Sequence, residues 1–129
     1  MSSNGQATIL VIRGLGGYLE GEVLRLRYGQ AVRIGRSRHC GFSLKGSRRF
    51  RNGDRKKCLE DPDFLRVSRE HLEIAYPHAG MVEVRNLGRN GTFVDGKRIE
   101  KVLLTRLDEC RIRFGGKEEL SLAWEQGTD

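Results

Sequence analysis

The sequence predicts an all-β sandwich of two packed antiparallel sheets. Three observations predict it: apolar residues recur with period two, turn residues separate the runs, and no convincing amphipathic helix pattern is present. Leu24 and Leu26 enclose Arg25, Val32 and Ile34 enclose Arg33, and Leu72, Ile74 and Tyr76 alternate with Glu73 and Ala75. Val82 and Val84 flank Glu83, Cys110, Ile112 and Phe114 alternate with Arg111 and Arg113, and Leu120, Leu122 and Trp124 close the series. Such alternation gives each strand one wet face and one dry face. Ile9 to Ile12 is continuously apolar, the pattern of a buried strand. Turn chemistry falls between the runs at 14–17, 28–29, 77–80, 95–96 and 115–116. Asp95-Gly96 is a two-residue hairpin signal, because a type I′ turn needs positive φ at both central positions. About ten short strands follow from this spacing.

One stretch breaks the alternation. Residues 45–63 are rich in Arg, Lys, Gly and Asp and are expected to form a long, partly mobile loop inserted in the sandwich. The net charge is +7, and residues 45–60 carry seven Lys/Arg against two acids, so this segment holds most of the excess. Charge concentrated in this way suits an anionic partner, whether a phosphorylated or acidic peptide, a nucleic acid or an acidic membrane surface. It suits a solvated loop equally well. The segment contains a single aromatic, Phe50, so stacking platforms for bases are missing and nucleic-acid binding would be phosphate-driven and non-specific.

The chain's 129 residues fit one domain, taken as 1–129 with the insertion at 45–63, and 37% hydrophobic residues suffice for an ordinary core. No apolar run is long enough to cross a bilayer as a helix. The first residues lack a basic n-region and the following apolar stretch is broken by Arg13, so no signal peptide is expected. Cys40, Cys58 and Cys110 are odd in number and widely spaced, and they read as free thiols of a cytoplasmic protein. Metal binding is not expected, since the nearest pair of ligand types is the adjacent His39 and Cys40.

Enzyme motifs fail on inspection. Residues 91–97, GTFVDGK, have the spacing of a phosphate-binding loop, but Arg98 follows where a Ser or Thr would hold magnesium, and no helix comes next. The glycines at 14–17 place Leu19 where a dinucleotide fingerprint needs its third glycine. Ser68 and His71 are three apart but lack a nucleophile elbow or a third orienting group. No catalysis, cofactor or small-molecule substrate is expected.

Three short elements remain: Gly35-Arg36 within RIGRS at 33–37, Ser68 and His71 within VSREH at 67–71, and Asn90-Gly91-Thr92 within NLGRNGTFVDG at 86–96. In this order and strand context the chain resembles the forkhead-associated (FHA) family of phosphothreonine-binding domains, over most of its length. The resemblance implies an FHA-like sandwich of about eleven strands whose ligand lies across loops at one end. It implies that Arg36 and Ser68 grip phosphate, which suits an arginine fork plus a hydroxyl donor. Arg69 would add a second cation or be solvated. Asn90 matches the family asparagine that bonds the ligand's main chain beside the phosphothreonine. Gly35, His71, Gly91 and Thr92 match positions that hold the loops in shape. Loop side chains Ser37, Arg38, His39 and Lys117 are candidates for tuning the residues preferred around the phosphothreonine.

The chain departs from the family pattern twice. Gly88 and Arg89 stand where a further Ser or Thr donor is usual, and Arg89 either replaces that hydroxyl or points to solvent. The interval between Arg36 and Ser68 is unusually long, and its basic surplus would clamp an acidic peptide, contact a second phosphate or bind an unrelated partner. The expected function is phosphothreonine recognition on partner proteins in signalling or assembly. The alternative is a scaffold of the same fold that binds an acidic partner or nucleic acid through the basic segment. Deleting 45–60 would separate the two, because only the scaffold would lose its partner.

Overall fold

A computed structural model describes residues 6–128; residues 1–5, on which the expectation of no signal peptide partly rests, lie outside it. Eleven strands form two sheets. One contains β1 (Gln6–Gly16), β2 (Val23–Leu26), β7 (Thr92–Val94), β8 (Lys97–Ile99), β10 (Arg111–Phe114) and β11 (Glu118–Thr128), in the order β2-β1-β11-β10-β7-β8. The other contains β3 (Ala31–Gly35), β4 (Phe42–Ser43), β5 (Leu72–His78), β6 (Met81–Asn86) and β9 (Lys101–Leu104), in the order β4-β3-β5-β6-β9. The alternating runs sort as their period requires: Leu10, Ile12, Ile34, Leu72, Ile74, Val82, Val84, Ile112, Phe114 and Leu120 are buried in one core. Ile9 to Ile12 are all buried, as the continuous run predicts for β1 between β2 and β11. The edge strands β2, β4, β8 and β9 are two to four residues long, which limits unpaired edge.

The pairing is antiparallel except at β3–β4, which is parallel over two residues, Ile34 opposite Phe42 and Gly35 opposite Ser43. Two residues carry no period, so alternation cannot announce such a pair. Asp95 and Gly96 both have positive φ, 49° and 84°, and join β7 to β8 in the expected tight hairpin. The GTFVDGK stretch is therefore strand, turn and strand.

Residues 45–63, expected as an inserted loop without regular structure, contain short helices. The segment folds into α1 (Arg48–Asn52), α2 (Arg55–Glu60) and the start of α3 (Pro62–Leu65). Each is four to six residues long, too short to display a 3.6-residue period, but each carries its own start signal. Ser47 accepts from the Phe50 N–H at 3.2 Å, Asp54 accepts from the N–H groups of Lys56 and Lys57, and Asp61 accepts from that of Asp63 ahead of Pro62. What anchors the segment is aromatic. Phe50 stacks on Phe64 at 5.4 Å between ring centroids, Phe64 meets Tyr18 edge-on at 5.1 Å, and all three are buried. The Tyr18 hydroxyl donates to Asp61 at 2.8 Å, and the Arg49 guanidinium lies 4.4 Å over the Tyr18 ring. Deleting 45–60 would remove Phe50 from the core, so that deletion cannot serve as a clean functional test.

Beneath this cluster the chain buries a carboxyl. Glu118, only 3% exposed, accepts from the backbone N–H of Tyr18 at 2.7 Å and of Leu19 at 3.2 Å. Burial pushes its pKa up to about 7, against the opposing pull of the two N–H donors and of Arg49. A carboxyl whose folded pKa lies above its unfolded value near 4.5 contributes stability that is full below 4.5 and is lost as pH rises through 7. Glu118→Gln removes that titration. The stability of wild type minus that of Glu118→Gln, from urea unfolding, is expected to fall by roughly 2 kcal/mol between pH 5 and pH 8. A difference independent of pH would contradict it, and other titrating groups cancel between the two proteins.

Candidate functional site

Strand register sets the site. Ile34 of β3 lies opposite Leu72 of β5, and Leu72 lies opposite Asn86 of β6, so three strand ends adjoin at one tip of the sandwich. From them emerge loop 36–41, loop 66–71 and loop 87–91. Loop 87–91 also crosses between sheets, because β6 and β7 belong to different ones.

The loops are joined by a buried imidazole. His71 is fully buried, and its Nδ1 accepts from the Ser68 backbone N–H at 2.9 Å while its Nε2 faces the Gly91 carbonyl at 2.8 Å. These partners require the neutral tautomer with the proton on Nε2. Burial lowers the His71 pKa, partly offset by the bond to Gly91. The Ser68 hydroxyl does not face the ring; its Oγ accepts from the Arg89 backbone N–H at 3.1 Å and keeps its own proton free to donate.

Gly88 lies flat on the same imidazole, where an added Cβ would fall 2.7 Å from Nδ1. The backbone at 88 therefore leaves no room for a side chain against the ring. Gly91 has φ +85°, a left-handed conformation natural to glycine. Thr92 is fully buried, and its hydroxyl donates to Asn86 Oδ1 at 2.8 Å, tying one sheet to the other. Asn86 also accepts from the Gly88 N–H and donates to the Gly88 carbonyl, closing the turn.

Arg36 is set against loop 66–71 by three bonds. Its backbone N–H donates to the Ser68 carbonyl at 3.0 Å, the next N–H, of Ser37, donates to the Arg69 carbonyl at 3.1 Å, and its Nε donates to the Val67 carbonyl at 2.9 Å. Such close approach needs Gly35, where a Cβ would lie 2.3 Å from the Arg69 carbonyl oxygen. The Arg36 guanidinium carbon lies 6.0 Å from the centroid of the Phe64 ring. Asn90 is exposed and donates through Nδ2 to the Arg66 carbonyl at 2.9 Å, which leaves its carbonyl oxygen as an acceptor.

Arg36, Ser68, Arg69, Arg89 and Asn90 thus line one open depression of about 450 Å³, joined by Arg66 and Glu70. Among the described residues no carboxylate pairs with Arg36, Arg69 or Arg89, and the one lining acid, Glu70, is held by Arg33 at 2.7 Å. Lys117 lies elsewhere, paired with Asp63 at 3.3 Å. Sequence reasoning missed Arg66 and Asn86. Asn86 was visible as the first residue of an Asn-x-Gly turn, whereas nothing local distinguishes Arg66 from the chain's many other arginines. Among the described residues no group of three His, Cys, Asp or Glu could hold a metal ion, and no helix is long and apolar enough to cross a membrane.

A β-sandwich that offers a cationic depression on loops at one tip is built as a recognition module. The sequence profile of the FHA domain matches residues 32–115, and the chain belongs to the FHA domain family, whose members are interaction modules rather than enzymes. Among solved structures, the FHA domain of an Arabidopsis thaliana hypothetical protein is similar at TM-score 0.70 and 21% identity, covering 100% of this chain and 97% of that one. The FhaA FHA domain complexed with the intracellular domain of Rv3910 aligns at TM-score 0.62 and 25% identity, over 88% of this chain and 99% of that one. A structure from an analysis of phosphothreonine-dependent FHA domain interactions aligns at TM-score 0.61 and 25% identity, over 89% and 97%. No curated protein matches the chain by sequence.

The tautomer of His71 is directly measurable. Two-bond ¹⁵N–¹H correlation spectra at neutral pH are expected to show His71 with Nε2 protonated and Nδ1 bare; an Nδ1-protonated ring would contradict the geometry. Because the folded pKa lies below the unfolded value near 6.5, the stability from neutral His71 is present above 6.5 and is lost as pH falls through the folded pKa.

Proposed function

We propose that this chain reads phosphothreonine on partner proteins, in signalling or assembly inside the cell. The observation that carries the reading is the pairing of Arg36 with Ser68. Arg36 is fastened to Val67 through Nε alone, which leaves its terminal nitrogens without a protein acceptor among the described residues. Beside it the Ser68 hydroxyl still has a proton to give. A phosphate dianion brings three acceptor oxygens, and an arginine fork plus a hydroxyl donor satisfies them with charge-assisted bonds. Arg69 and Arg89 add positive potential at the rim, and Asn90 offers a carbonyl oxygen to a peptide N–H.

Two further points support the reading. The site is tied together by backbone bonds and a buried histidine, so little ordering cost is left for binding. Related FHA structures at 25% identity come from a complex with a protein domain and from phosphothreonine-dependent interactions. An unphosphorylated threonine would leave the cations uncompensated, so affinity should depend steeply on phosphate and weaken with salt.

The test is a calorimetric titration with phosphothreonine, phosphoserine and unmodified forms of one degenerate peptide library. The phosphothreonine form is expected to bind tightest and the unmodified form to show no measurable binding. Arg36→Ala is expected to weaken phosphopeptide binding by about 30-fold or more. The same change should cost only about 1 kcal/mol of stability, from the lost bond to Val67. Undiminished affinity in that variant would refute the assignment.

A further inference from the structure

Beside the phosphothreonine depression lies a second one, of about 400 Å³, lined by Arg36, Ser37, Arg38, His39, Lys45 and Arg69. No acidic residue lines it. Arg36 and Arg69 line both depressions, so they form the ridge between them. We propose that this second depression takes a second phosphate on the same peptide, making the preferred ligand a doubly phosphorylated segment. The proposal rests on the phosphothreonine reading above.

The charge balance argues for it. Across the two depressions stand six cationic side chains, Arg36, Arg38, Lys45, Arg66, Arg69 and Arg89, against the single carboxylate of Glu70. That carboxylate is already engaged by Arg33, and Arg66 alone of the six has an acidic partner among the described residues, Asp63 at 3.7 Å. One phosphothreonine brings about −1.5 to −2 charges, which leaves most of the cationic charge uncompensated. Holding like charges together without partners is costly, and a second dianion removes that cost.

The depression is also shaped before any ligand arrives. Ser37 Oγ accepts from the His39 N–H at 3.1 Å, the Ser37 carbonyl accepts from the Cys40 N–H at 3.1 Å, and Cys40 Sγ donates to the Arg69 carbonyl at 3.1 Å. Lys45 follows the buried Leu44, whose N–H donates to the Gly35 carbonyl at 2.9 Å. The hydroxyl proton of Ser37 remains free to donate, as that of Ser68 does in the first depression. The helical insertion is a weaker candidate for the second anion, because none of residues 46–60 lines either depression and two of its charges already serve the fold: Arg48 pairs with Glu22 at 3.7 Å and Arg49 lies over Tyr18.

The experiment uses fluorescent phosphothreonine peptides in which a second phosphoserine is walked one position at a time to either side. A parallel set carries paired aspartates in place of the second phosphate. At least one register is expected to bind about tenfold or more tighter than the singly phosphorylated peptide, with the aspartate version recovering less of the gain. The variant Lys45→Gln should lose most of that gain while weakening singly phosphorylated peptide by less than about threefold. If no register improves on the single phosphate, the second site is refuted while the phosphothreonine reading stands. If no phosphopeptide binds at all, that reading falls first. A single-stranded oligonucleotide of equal charge competing as well as the doubly phosphorylated peptide would reduce the depression to a non-specific polyanion patch and overturn the proposal.

Discussion

The uncharged imidazole of His71 holds together segments that sequence keeps far apart. One ring nitrogen takes the N–H of Ser68 and the other meets the carbonyl of Gly91, so loops 66–71 and 87–91 share a single rigid bridge. Loop 87–91 crosses between the sheets, and Thr92 repeats the tie through Asn86, so the bridge also closes the sandwich at that tip. A charged ring would have to offer a second N–H where Ser68 already presents one, and would carry its charge into a site without solvent. Neutrality is therefore a condition of the geometry. Gly88 is the other half of this constraint, since only a residue without a side chain can lie against the ring.

Around that bridge the cations are placed by backbone bonds as much as by side chains. Arg36 is held through its own N–H, its neighbour's N–H and its Nε, all to consecutive carbonyls of residues 67–69. Beneath it lies Phe64, which belongs to the aromatic stack that anchors the helical insertion. The insertion is thus continuous with the floor of the site, and its basic residues divide into two kinds. Some are spent on the fold, as Arg49 is on Tyr18, and some remain on the solvent side.

Much of the fold was legible in residue order because period two is a local property. The wet and dry faces of β3, β5, β6 and β10 follow from alternation alone, and the Asp95-Gly96 turn follows from the backbone it demands. The three helices of the insertion were not legible as helices, since four to six residues give too few turns to show a stripe. Their caps at Ser47, Asp54 and Asp61 were present but look like ordinary loop residues until a helix is known to follow. The parallel β3–β4 pair was invisible for a related reason, being only two residues long.

For the site, residue order supplied the chemistry: a strand-ending arginine, a serine three residues before a histidine, and an asparagine before a glycine, in loops between predictable strands. It could not supply distance. That Arg36 bonds to residues 67–69, that Arg66 joins the depression while Lys117 is held by Asp63, and that Arg36 and Arg69 form a ridge between two hollows all depend on long-range contacts. Strand character comes from neighbours along the chain, and side-chain alternation records it. The convergence of charge comes from the register of β3, β5 and β6 across a sheet, which no stretch of sequence contains by itself.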